Sequence, residues 1–120
     1  MKFAIQVNAN PWSSWGARTA YQFSRAVLAG GDEIIRIFFY QDGVFHAVRI
    51  HDMSPAMPDW CALAREADVE LVLCVSAVQR RGLLGASGRD MGILMPEFKL
   101  GGLGLWVDAC MRADRHMVFA

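Results

Sequence analysis

Leu71-Val72-Leu73-Cys74-Val75-Ser76-Ala77-Val78-Gln79-Arg80-Arg81-Gly82 passes from an apolar run, through one cysteine, into a polar turn that carries paired arginines. A run of Leu and Val is strand-forming and belongs inside a sheet, and Gln-Arg-Arg-Gly must leave it. Cys74 is therefore expected near the carboxyl end of a central strand, Glu70 to Ser76. Arg80 and Arg81 follow about two helical turns later. In open α/β sheets, ligands and chemistry gather outside the carboxyl ends of the strands. The competing reading is a packed, inert thiol, because unpaired cysteine is among the residue types most often buried. Reactivity needs thiolate, which neighbouring arginine or a helix N-terminus favours. Residues 77–81 can form one helical turn aimed back at the sulfur, and Arg80 or Arg81 can add positive charge. Solvated surface arginines are the plainer reading of that pair.

Composition narrows the classes. A chain of 120 residues is expected to form a single domain, residues 1–120, with a core large enough to fold without staples. Hydrophobic residues make up 54%, so some apolar surface is expected to meet other subunits. Twelve basic residues balance twelve acidic ones, which leaves no electrostatic footprint for direct nucleic-acid binding. Three irregularly spaced cysteines argue against a disulfide framework and for a reducing compartment. The opening run Met1 to Ile5 is too short for a signal peptide, and no stretch approaches a membrane span. A cytoplasmic protein, away from the membrane, is expected.

Along the chain, residues 2–8 read as a strand turned by Ala9-Asn10-Pro11. A helix capped by Ser13 or Ser14 follows, with Ala20, Phe23 and Val27 at helical spacing as far as Gly30-Gly31. Glu33 to Tyr40 is a second strand, nearly continuous in Ile and Phe as a doubly covered parallel strand should be. Gln41-Asp42-Gly43 is a turn, and Val44 to Pro58 shows no clear period. A helix from Asp59 to Asp68 carries the stripe Trp60, Leu63, Ala64 and Ala67. After Gly82 the chain reads mostly as loop to Lys99, with a short strand at Phe98-Lys99-Leu100. A last helix, Leu103 to Asp114, shows Leu103, Trp106, Val107 and Cys110 on one face, and His116 to Phe119 returns as a strand. Trp12 and Trp15 are expected mainly to cover the sheet. The alternation predicts a three-layer α/β/α sandwich around a mostly parallel sheet of about five strands. Strand order does not follow from it.

Most chemical motifs fail. Gly102-Leu103-Gly104 has Val107 where a dinucleotide fingerprint needs its third glycine, and too little chain follows to supply the ribose partner. No Gly-Lys-Ser/Thr exists, which removes a nucleotide-binding module. Gly85-Ala86-Ser87-Gly88-Arg89 lacks the closing glycine of a nucleophile elbow. His46, His51 and His116 have no metal-ligand spacing and read as solvated or ordinarily hydrogen-bonded, so no metal is expected. Asp42 and Asp108 read as solvated carboxylates, and Cys61 and Cys110 as core.

The segment Cys74 to Gly82 resembles the active-cysteine segment of the DsrE/TusD family of sulfur-relay proteins. So do Met1 to Val7, Arg36-Ile-Phe-Phe-Tyr-Gln-Asp-Gly-Val44, and the end from Gly102-Leu-Gly104 through Ala113-Asp-Arg115 to Phe119. The match is collinear over most of the chain. It departs from the family at Leu83 to Arg89, where acidic residues are usual, and in a shorter connection from His51 to Asp68. The resemblance implies a compact α/β sandwich and a sulfurtransferase that carries sulfur as a persulfide on Cys74. Arg80 and Arg81 are then candidate stabilisers of its thiolate, and no organic cofactor or metal is needed. It further implies a hetero-oligomer, a heterohexamer, with related small subunits, and exchange with sulfur-donor and sulfur-acceptor carrier proteins. The pathway is tRNA thiolation in TusD-like members and sulfur oxidation in DsrE-like ones. The alternative is a non-catalytic subunit that supports a paralogue's active cysteine.

Overall fold

The computed structural model describes residues 1–12, 15–49 and 57–120. Candidate caps Ser13 and Ser14, as well as His51, lie outside them. Five strands, β1 (Lys2–Val7), β2 (Glu33–Phe39), β3 (Leu71–Cys74), β4 (Phe98–Gly101) and β5 (Arg115–Phe119), form one sheet in the order β4-β3-β2-β1-β5. Every pairing is parallel. The helices are α1 (Trp15–Ala29), α2 (Trp60–Ala67), α3 (Val75–Arg80) and α4 (Leu103–Arg112), with a 3₁₀ helix over Gln41–Ala47.

Topology decides the layers. From β1 to β4 the strands step in one direction, so right-handed crossovers put α1 and α2 on one face. The return from β4 to the opposite edge puts α4 on the other. Ring contacts agree. Trp60 of α2 meets Tyr21 of α1 and Phe39, whereas Trp106 of α4 meets Phe38, the neighbour of Phe39 that points the other way. Phe38, Phe39, Ile5, Ile37, Leu71 and Leu73 lie fully buried between these layers. They form the doubly covered apolar run that a parallel sheet requires.

Local signals set the helix ends. Gly31 at φ +83 and the bonds from Gly30, Gly31 and Asp32 back to the last carbonyls of α1 form its glycine cap. An Asp59 carboxylate oxygen accepts from the Ala62 amide at 3.0 Å and caps α2.

Four expectations are corrected. The strand that carries Cys74 ends there, and α3 starts at Val75 rather than at 77, because Ala77 and Val78 are the residues drawn into the core. Gln41–Ala47, read as a turn and the start of an aperiodic stretch, is a 3₁₀ helix, with Gly43 and His46, and Val44 and Ala47, buried at spacing three. In α4 the core face is Leu105, Trp106 and Ala109. Leu103 and Val107 are exposed, and Cys110 is only half-buried. Trp12 and Trp15 are exposed, Trp15 to 80%, so neither covers the sheet.

The 3₁₀ helix lies hard against the end of β1. The Tyr40 amide donates to the Val7 carbonyl at 3.0 Å, and the Gly43 amide to the Tyr40 carbonyl at 2.9 Å. A Cβ on Gly43 would fall well inside contact distance of that Val7 carbonyl, which is backbone and cannot swing aside. Gly43→Ala is therefore expected to cost about 2 kcal/mol in urea unfolding. It should also speed alkylation of Cys74, because the same helix packs against β3 and α3. An unchanged midpoint would show that the helix can shift freely.

Candidate functional site

Cys74 is the last residue of β3 and the residue before α3, still extended at φ −63 and ψ 115. It is 2% exposed. Side-chain alternation along β3 turns Leu71 and Leu73 toward the α2 face, and Val72 and Cys74 toward the α4 face. In register beside Cys74 on β4 stands Gly101. A Cβ there would lie 2.9 Å from Val72 Cγ1 and would collide with Leu105. The missing side chain lets α4 settle onto the sheet next to the cysteine. At the carboxyl end of the sheet, the 3₁₀ helix packs on β3 and α3. Beyond it, residues 47–49 pair with 93–95: Met95 donates to the Ala47 carbonyl at 2.7 Å and Arg49 to the Ile93 carbonyl at 2.8 Å.

The arginines stand at the other end of α3. Both Nε and Nη2 of Arg81 donate to Asp42 Oδ1, at 3.0 and 2.8 Å, and its Nη1 donates to the Ala77 carbonyl at 3.2 Å. Arg80 is exposed. Six residues of helical rise place them about 9 Å along the axis from Cys74. The structure thus brings Arg81 to Asp42, a solvent-exposed carboxylate as expected that also carries an ion pair. The group that adjoins the cysteine directly is the amino end of α3, whose first amides have no partner within the helix.

The other thiols differ. Cys61 is buried in α2, its Sγ 3.8 Å from Met95 Sδ; burial first, and the Glu97 carboxylate second, push its thiol up to about 12. Cys110, on α4, is also pushed upward by burial.

His46 is buried rather than solvated, and it is ordinarily hydrogen-bonded. Trp60 Nε1 donates to His46 Nδ1 at 3.1 Å, so Nε2 carries the proton and donates to the Ala9 carbonyl at 3.0 Å. One ring thereby ties together the ends of β1, the 3₁₀ helix and α2. Burial lowers its pKa from 6.5 to about 4. The fold holds the imidazole neutral, so this contribution is complete above pH 6.5 and is lost as pH falls through about 4. The shift is worth about 3 kcal/mol. Urea midpoints measured from pH 7 to 4 should fall in the native protein and fall less in His46→Gln. Parallel pH profiles would remove His46 as the cause. His116, by contrast, is exposed on β5, edge-on to Trp106.

Arg36 escaped the sequence reading. It is buried in β2, pairing with Glu70 on one side and Asp108 of α4 on the other. The signal was there: one cation inside Glu-Ile-Ile-Arg-Ile-Phe-Phe must find carboxylates.

A parallel sheet covered on both faces, with a single cysteine closing a central strand, defines a small three-layer α/β protein. The chain belongs to the DsrE/DsrF-like family, whose model matches residues 1–119. It is 39% identical to a DsrE protein of Allochromatium vinosum, covering 99% of this chain and 98% of that one. A sulfurtransferase TusD homolog of Pseudomonas aeruginosa is 41% identical, with 99% and 97% covered. The ychN protein from E. coli superposes with a TM-score of 0.82 over 99% of both chains at 18% identity, which shows the shared fold. Among the described residues, no helix is long and apolar enough to cross a membrane.

Proposed function

We propose that this chain is a sulfurtransferase that carries sulfur as a persulfide on Cys74. In loading, the Cys74 thiolate attacks the outer sulfur of a donor persulfide. The donor S–S bond breaks, a new one forms at Cys74 Sγ, and the donor leaves as thiolate. In discharge an acceptor thiolate attacks that outer sulfur and Cys74 Sγ leaves with the electron pair. Sulfur-bond exchange is complete in itself, so a nucleophile and access to it suffice. The observation that carries this reading is Cys74 at the carboxyl end of β3 and the amino end of α3, in a family whose relatives are named sulfurtransferases. Arg80 and Arg81 add positive charge at the far end of α3, that of Arg81 shared with Asp42.

Burial of Cys74 makes exchange wait on a local opening or on a docking partner. Exposed Trp12, Trp15, Met91 and Ile93, and the outer stripe Leu103, Val107 and Met111 of α4, give a hetero-oligomer with related subunits surface to bind. Leu94 and Met95, from the same loop, turn inward. Three free thiols suit the cytoplasm. The test is to incubate the protein with a cysteine desulfurase and cysteine and to map the added sulfur by peptide mass spectrometry. Sulfur is expected on the Cys74 peptide. A protein that takes up none, alone or with its genomic neighbours, would be a structural subunit instead.

A further inference from the structure

We propose that the Tyr40 hydroxyl donates a hydrogen bond to Cys74 Sγ whenever that sulfur bears negative charge, which makes Tyr40 a second catalytic residue. The inference rests on the persulfide reading of Cys74 and adds a partner to it.

Register supplies the juxtaposition. Phe39 pairs with Leu73 across β2 and β3. Tyr40 follows Phe39 and is still extended, at φ −128 and ψ 158, as Cys74 is on its own strand. The two therefore stand side by side on strands about 4.8 Å apart. They also share a face. Tyr40 alternates with Phe38, whose ring meets Trp106 of α4 at 6.3 Å, and the Tyr40 ring lies 6.4 Å from that of Phe38. Cys74 alternates with Val72, which lies beside Leu105 of α4 under the bare Gly101. On the other flank of Cys74, then, Gly101 offers no side chain, and Tyr40 is the strand neighbour with a polar atom.

That polar atom is uncommitted. The Tyr40 ring is half-buried against the core, and its hydroxyl, which is not among the buried polar atoms, makes no hydrogen bond to a described residue. In this structure the hydroxyl is not bonded to Sγ; an aromatic ring that turns across the strand spacing of about 4.8 Å brings it there. A phenol O–H can therefore serve Sγ in both half-reactions, as the attacking thiolate in loading and as the leaving thiolate in discharge. It acts where charge develops and gives up no proton overall.

Tyr40→Phe removes the hydroxyl and keeps the ring, so packing is retained. Two measurements are made on it. Discharge of loaded Cys74 to a small thiol acceptor is expected to slow about fivefold. Iodoacetamide alkylation of Cys74 in the sulfur-free protein is expected to slow about threefold at pH 7, while that of Cys110 stays unchanged. Alkylation needs no persulfide, so it separates the two ideas. Slower alkylation in Tyr40→Phe beside a native protein that accepts no sulfur would sustain the hydrogen bond and remove the relay. Native alkylation and native discharge in Tyr40→Phe, with sulfur loading intact, would overturn the role of Tyr40 and leave the relay standing.

Discussion

Cys74→Ser is expected to accept no sulfur under conditions that load the native protein, a loss of at least about a hundredfold. Serine is nearly isosteric at this buried strand end, so the sheet should persist, but an Oγ cannot hold a persulfide. The remaining thiols are poor substitutes. With Cys61 pushed up to about 12, roughly one molecule in 10⁵ carries its thiolate at pH 7. Burial pushes Cys110 upward as well, and it sits on α4 rather than at the carboxyl end of the sheet. Peptide mapping after loading makes the comparison, with Cys61→Ser and Cys110→Ser as controls that should load normally. Sulfur retained in full by Cys74→Ser would remove the assignment.

The largest loss of stability is expected from Arg36→Ala, about 3 kcal/mol in urea unfolding at pH 7. The Arg36 side chain is 8% exposed. Its Nε and Nη2 donate to Glu70 Oε2 at 3.1 and 3.0 Å, and its Nη1 donates to the Leu105 carbonyl at 2.8 Å and to Asp108 Oδ2 at 3.0 Å. One guanidinium thus joins β2, the residue before β3 and the middle of α4. Hydrogen bonds from Arg36 and then Arg112 hold the Asp108 carboxyl below its usual range. Burial acts to raise that of Glu70, yet Arg36 and Lys99 bring it below as well. Truncation leaves the Leu105 carbonyl without this donor and leaves Glu70 and Asp108 only their weaker, exposed pairs with Lys99 and Arg112. Because Glu70 and Asp108 are partly exposed, water can rehydrate them, which keeps the loss at the lower end for a broken buried ion pair. Arg36→Lys should recover only part, since an ammonium cannot reproduce the planar fork. A loss below about 1 kcal/mol in Arg36→Ala would mean that α4 is held by its apolar contacts alone.

Arg36 also explains why α4 was misread. The helix has two apolar stripes, Leu103-Val107-Met111 and Leu105-Trp106-Ala109, and helical periodicity favours neither. The choice falls to the ion pair of Asp108 with Arg36, a partner distant in the chain, and to the notch over the sheet at Gly101 that admits Leu105. The 3₁₀ segment was missed for another reason: its period of three matches neither a strand nor an α-helix. The ion pair of Asp42 and the burial of His46 left no trace in the sequence because their partners, Arg81 and Trp60, come from α3 and α2.

What the amino-acid sequence determined by itself was whatever depends on neighbours in the chain. Continuous apolar runs made β2 and β3 buried parallel strands, Gly31 and Asp59 set helix ends, and the passage from Leu71 to Gly82 placed Cys74 where a sheet gives way to a helix. Membership of the DsrE/DsrF-like family was legible in the same segments. Only the tertiary structure decided the strand order β4-β3-β2-β1-β5, which face of α4 is inside, and what stands next to the sulfur. Those are set by pairing between residues such as Phe39 and Leu73, or Cys74 and Gly101, whose separation along the chain leaves no periodic trace.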